Sequence, residues 1–207
     1  MIFIRFLIRL VILNMLILTP HSTFGWGPCP SVFKDSEYIV SLQNPGFFYS
    51  LSLFSVKDFL GTWLDIYRNI DFYFAKGNCT QALYYQDSEN KILARNSEII
   101  NRVNSSAKAE IFADPSIQGQ LYAKFYHFAP AGDYRVIHTD YTNTALVFSC
   151  TSVILAHKKF AWILGRNLEV TLPDFYFKLI QDFGIPLENL QKTIHENCDS
   201  SIIVGKY

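Results

Sequence analysis

The side chains with most chemical potential in this 207-residue chain are four cysteines, Cys29, Cys79, Cys150 and Cys198, and five histidines. All four cysteines follow an apolar N-terminal stretch, and an even number in an exported chain reads as two disulfides, for which spacing alone permits three pairings. No two of them form a C-x-x-C pair, so a zinc centre is not expected. An imidazole aimed into an apolar interior could ligate haem, and His127 and His138 are the two candidates. There is no H-E-x-x-H, no G-x-S-x-G and no phosphate loop. The two methionines, Met1 and Met15, both lie in the N-terminal stretch, so thioether chemistry leaves with it. Binding is expected rather than catalysis, with no metal and no resident cofactor.

Half of the residues are hydrophobic and 16% are aromatic, with 18 Phe and 12 Tyr, a composition that favours strands. Formal charge is zero and no Lys/Arg run exceeds Lys158-Lys159, which removes nucleic acid as a partner. Residues 1–25 read as a secretory signal peptide: Arg5 and Arg9 flank an apolar run, and small residues follow at Ser22, Thr23 and Gly25. Without Arg5 and Arg9, 16 basic residues face 18 acidic ones, a net charge of −2. Asn78-Cys79-Thr80 and Asn104-Ser105-Ser106 are glycosylation sequons, which makes Asn78 and Asn104 the acceptor candidates. No later stretch approaches the roughly 20 apolar residues of a membrane span, and the few residues after Cys198 include Lys206, unsuited to a lipid-anchor signal.

The elements that must position any site are short strands separated by turn signals. They read as Leu60 to Arg68, Cys79 to Gln86, Lys91 to Asn101, Lys108 to Phe112, Gln120 to Phe128, Tyr134 to Asp140, Ala145 to Leu155 and Phe160 to Arg166. Asn104-Ser105-Ser106 and His157-Lys158-Lys159 serve as turns in this reading. Eight such strands can close into an antiparallel barrel that removes both sheet edges and can hold one small ligand. Phe175, Leu179 and Phe183 recur at helical spacing after Pro173 and Asp174, so one amphipathic helix is expected on the outer wall, ending at Gly184. Leu190 to His195 reads as a last short strand. The fold class is all-β: an eight-stranded up-and-down barrel with one C-terminal α-helix packed outside.

Three motifs in order resemble the lipocalin family, in its apolipoprotein D and insect bilin-binding branch. Gly61-Thr62-Trp63 matches the G-x-W motif of the first strand, Thr139-Asp140-Tyr141 the T-D-Y motif, and Arg166 the arginine closing the eighth strand. The stretches Asn143 to Cys150 and Phe160 to Asn167 extend the likeness, which runs from about Asp58 to Cys198. The resemblance implies that Arg166 stacks on Trp63 across the closed end, and that the disulfides are Cys29–Cys150 and Cys79–Cys198. It divides the chain into a signal peptide (1–25), an N-terminal arm (26–57) and the barrel with its helix and last strand (58–207). Glu37 to Ser55, within the arm, matches nothing in the family and reads either as an extra hairpin or as translated non-coding sequence.

Strand alternation separates cavity from outside. Lys124 marks Tyr122, Lys124 and Tyr126 as outward, which turns Leu121, Ala123, Phe125 and His127 inward; Arg135 likewise turns Tyr134, Val136 and His138 inward. The same logic joined to the resemblance places Tyr84, Val147, Phe160, Trp162 and Leu164 inside. The family implies a secreted carrier for a small hydrophobic molecule, a fatty acid, sterol, retinoid or bilin pigment, acting as a monomer or weak dimer with a cell-surface receptor as partner. Two alternatives are a lipocalin-type isomerase, which would need a free cysteine, and a filled barrel whose loops bind another protein.

Overall fold

The computed structural model describes residues 23–29, 54–70, 76–126, 130–153 and 155–198. Most of the expected signal peptide, most of segment 37–55, and His127 and Phe128 lie outside the described residues. The barrel strands are β2 (Gly61–Asn69), β3 (Asn78–Gln86), β4 (Ile92–Ile100), β5 (Val103–Ala113), β6 (Gln120–Lys124), β7 (Gly132–Thr139), β8 (Thr144–Val153) and β9 (Ala156–Gly165). Each pairs antiparallel with its sequence neighbour, and β9 returns to β2 to close the barrel. A short strand β1 (Phe24–Trp26) adds to β9, and β10 (Leu190–Lys192) adds to β2. Neither β1 nor the one-turn helix α1 (Val56–Phe59), capped by the Ser55 hydroxyl, carried a sequence signal.

Two turns lie elsewhere than expected. Asn104, Ser105 and Ser106 are inside β5, and the chain reverses at Asn101 and Arg102, both at positive φ (52° and 65°). A two-residue hairpin turn of this hand matches strand twist better than the longer polar stretch would. His157, Lys158 and Lys159 are inside β9, paired with Ser152, Thr151 and Cys150, and the reversal comes at Leu155. Polar residues mark these turns poorly because the upper wall is itself polar and exposed.

Helix α2 (Asp174–Asp182) lies on the outer wall, where Tyr176, Ile180 and Phe183 bury against Ile137, Leu146, Phe148, Ala161 and Ile163. Lys159 Nζ donates to the carbonyls of Phe183 (3.0 Å) and Gly184 (2.9 Å), a cation placed where helix carbonyls end. Disulfides join Cys29 to Cys150 and Cys79 to Cys198, bridging 121 and 119 residues. Loops of that length contribute on the order of 4–5 kcal/mol each in the chain-entropy account. The arm is held further by His157, whose Nδ1 lies 3.1 Å from the Gly27 carbonyl; its ring passes so close to Gly25 that a Cβ there would sit 2.5 Å away.

Candidate functional site

The up-and-down order sends the connections 87–91, 114–119 and 140–143 to one end, with α1, and the C-terminal ends of β2, β4, β6 and β8 to the other. The first end is closed. Trp63 is fully buried, with the Arg166 guanidinium 3.7 Å above its ring and Phe59 stacked at 4.9 Å. Arg166 donates from Nε to Tyr141 O, from Nη1 to Thr62 O and from Nη2 to Leu60 O, all at 2.8–2.9 Å. Gly61 holds φ +99°, and a Cβ there would come within 3.0 Å of Arg166 Nη1, so this turn into the strand requires glycine. Asp140 accepts the amides of Thr142, Asn143 and Thr144 and organises the adjoining turn, while Thr139 Oγ1 accepts from Tyr141 N. Phe54 and Ser55, at the end of segment 37–55, join this plug: Phe54 stacks on Tyr141 and packs tilted against Phe59, and Tyr141 Oη accepts from Ser55 N.

Above the plug the inner wall is apolar, from Leu121, Val136, Ala145, Val147, Leu164, Ala94, Ala109 and Ile111. Higher still, Tyr134, Trp162 and Phe160 face inward yet keep part of their surface accessible to water. Their rings follow one another at 6.1 Å (Tyr134 to Trp162) and 6.0 Å (Trp162 to Phe160). Tyr84 is buried beneath, and its hydroxyl lies 2.7 Å from that of Tyr134. Burial pushes the Tyr84 phenol up to about 12 and the Tyr134 phenol well above its ordinary value. Lys158 sits on the same face of β9 at the open end, 5.2 Å over the Phe160 ring. The upper inner wall can thus enclose an apolar body and offer a few polar tips to it.

The expected inward set is placed unevenly. Tyr84, Tyr134, Val136, Val147, Phe160 and Trp162 lie on the inner face. Phe125 follows the end of β6 and is 40% exposed at the rim rather than inside. His127 lies outside the described residues. His138 does not face the cavity: Ile137 is an extra residue between the pairs Val136–Val147 and His138–Leu146, and this bulge returns His138 to the outer face. There its Nδ1 lies 2.7 Å from Tyr176 Oη, its ring packs edge-on to Phe175, and burial lowers its pKa. The haem role of His138 falls with that placement. Arg135 does point outward, but it is buried, at 1% exposure, rather than open to water.

A second bulge brought one charged residue, Arg68, inside where strand alternation did not place it. Ile66 is extra between the pairs Asp65–Leu164 and Tyr67–Ile163, so Tyr67 turns out to meet Phe177, and Arg68 turns in beside Trp162. Arg68 Nη1 donates to Asp65 Oδ2 (3.1 Å) and Thr80 Oγ1 (2.7 Å), and Nη2 to Gly77 O (2.7 Å); Gly77 N donates to Glu98 Oε2 (2.6 Å). Burial pushes Asp65 up to about 6, against the pull of Arg68 and the Thr193 hydroxyl. Asp65 was legible as inward from its spacing to Trp63; Arg68 was not, because only the bulge reverses its face.

Outside the barrel at the closed end, a groove of about 380 Å³ runs between Leu64, Arg166, Leu168, Glu169 and His195, but the Arg166 guanidinium there is already committed to the plug. Among the described residues no cluster of His, Cys, Asp and Glu is placed to hold a metal ion, and no helix is long and apolar enough to cross a membrane.

Residues 60–197 match the model of the Lipocalin / cytosolic fatty-acid binding protein family. Apolipoprotein D of Bos taurus is 34% identical over 157 residues, covering 72% of this chain and 81% of that protein. Apolipoprotein D of Mus musculus is 36% identical over 155 residues, covering 70% and 79%. Among solved structures, insecticyanin of the tobacco hornworm Manduca sexta superposes with a TM-score of 0.56 at 22% identity, over 72% of this chain and 84% of that one. Lobster apocrustacyanin A1 does so with a TM-score of 0.62 at 19% identity, over 86% and 94%. At these identities the two structures speak to the fold.

Proposed function

The chain belongs to the lipocalin family, whose members bind small hydrophobic molecules, and on that premise we propose that it is a secreted carrier that transports or sequesters one such molecule in the upper half of its barrel. The observation that carries this reading is the set Tyr134, Trp162 and Phe160, aromatic, inward and still partly accessible. A fatty acid, sterol, retinoid or bilin pigment has the apolar body such a wall receives. Burying ~300 Å² of it gains roughly 7.5 kcal/mol before association costs are subtracted, so apolar burial is the main drive and the polar contacts must add to it.

A carrier is favoured over an isomerase because all four cysteines are tied in disulfides, which leaves no thiolate nucleophile. Secretion is supported by the same disulfides, which persist in oxidising compartments, and by the signal-like N-terminus. The test is tryptophan fluorescence during titration with representatives of the four ligand classes, with native mass spectrometry of protein from its source. Saturable quenching by at least one class is expected, weakened in Trp162→Phe; no response to any class, and no co-purifying ligand, would overturn the reading.

A further inference from the structure

We propose that the barrel selects uncharged, oxygen-bearing apolar molecules, alcohols and ketones of the sterol or retinoid kind, over the corresponding carboxylates, and that the Tyr84–Tyr134 hydroxyl pair holds the ligand oxygen. This rests on the carrier reading and adds to it the chemistry of the head group.

The hydroxyls of Tyr84 and Tyr134 are 2.7 Å apart. Two phenols bring two protons, and their mutual bond uses one. Whichever donates, one O–H remains to point at a third acceptor. Tyr84 Oη donates to Tyr134 Oη, so the spare proton is that of Tyr134, which faces inward with part of its surface accessible and has no other protein acceptor among the described residues. The pair lies among the inward rings, next to Tyr134's neighbour Trp162, where a bound molecule would lie. An oxygen on that molecule supplies the missing acceptor. The phenols themselves stay protonated throughout the physiological range, since burial raises both.

Charge decides which oxygen. The carboxylates of Asp65 and Glu98 are buried in the wall, and the Asp65 charge acts on Tyr134 itself. Arg68, the cation beside them, has both terminal nitrogens committed to Asp65, Thr80 and the Gly77 carbonyl. A carboxylate brought to the tyrosine pair would lose its hydration and meet two like charges against one cation, Arg68, whose terminal nitrogens are already committed and whose Nε alone has no partner among the described residues. An alcohol or ketone incurs none of these. The competing arrangement for an acid is head outward, with its carboxylate at Lys158 on the rim.

Two pairs of ligands differing only in the head group separate these arrangements: retinol against retinoic acid, and octadecanol against stearic acid, titrated near neutral pH into the intact disulfide-bonded protein. The alcohols are expected to bind at least about tenfold more tightly than the acids, a difference of one decade in Kd. Tyr134→Phe should weaken retinol binding several-fold and leave retinoic acid nearly unchanged. Asp65→Asn should tighten retinoic acid, because it removes the repelling charge and leaves Arg68 in place; if that variant does not fold, Glu98→Gln removes a like charge while keeping an acceptor for Gly77 N. Acids that bind as tightly as alcohols in the parent protein, and lose affinity in Lys158→Gln, would overturn the proposal while leaving the carrier reading intact. Binding of neither member of either pair, together with no response to sterols or bilins, would overturn both.

Discussion

At the closed end of the barrel Trp63 is clasped between Arg166 and Phe59 and all three guanidinium nitrogens reach backbone carbonyls, whereas higher in the barrel Tyr134, Trp162 and Phe160 leave surface accessible and, among the described residues, one phenolic proton has no protein acceptor. Both regions are rich in aromatic rings and both face the barrel axis, so composition does not separate them. Hydrogen-bond completeness does. A region whose donors are all satisfied internally, in low-exposure surroundings, contributes rigidity and offers nothing to a ligand. A region that leaves a donor and ring faces available has room for a partner, and the stability it forgoes is recovered when that partner binds.

The comparison can be broken first at the plug. Trp63→Ala removes a fully buried indole and the surface on which Arg166 rests, and is expected to cost roughly 3–5 kcal/mol in urea unfolding. A loss below about 1 kcal/mol would mean that the closed end collapses around the cavity and is not the rigid element described.

Asp65 gives the next effect, with a defined sign. Its folded-state pKa of about 6 lies above the ordinary 3.8, so the folded protein holds this proton more tightly than the unfolded chain does. The penalty of the buried charge is therefore fully present above about pH 6 and is relieved as pH falls toward 4. Relative to Asp65→Asn, the parent protein should gain on the order of 1–3 kcal/mol between neutral pH and pH 4, read by denaturant unfolding at each pH. His138, on the outer wall, acts in the opposite direction: its lowered pKa makes acidification through 6.5 destabilising. A flat difference between parent and Asp65→Asn would place Asp65 in contact with solvent rather than in the wall.

The smallest expected effect on stability, and the sharpest on function, is at Trp162. Its ring is only partly buried, so Trp162→Ala should cost less than about 2 kcal/mol of stability. Ligand affinity should fall on the order of tenfold or more, because a ring wall is lost where the ligand packs. If stability fell as far as in Trp63→Ala, the contrast between the two regions would not hold.

Much of this was written in the residue pattern. Trp63 and Arg166 declared the plug through their motifs, and the resemblance carried the pairing of Cys29 with Cys150 and Cys79 with Cys198. Tyr134 and Val136 were assigned inward by counting in twos from Arg135, because one pleat runs uninterrupted there. The same count failed two residues later at His138, and it gave no warning of Arg68. In both cases one inserted residue, Ile137 or Ile66, reversed the phase of everything after it. A bulge has no composition of its own in these strands, since isoleucine suits a regular pleat equally well.

The sequence by itself determined that this chain closes eight strands around an aromatic interior and ties its ends to the wall, because periodicity, turn residues and cysteines act locally or through a family pattern. Only the tertiary structure decided how the charged groups of that interior meet, and that Arg68 is among them. Asp65, Arg68 and Glu98 meet across β2, β3 and β4 because of register and one bulge, and those are set by how the whole barrel closes rather than by any neighbouring residue.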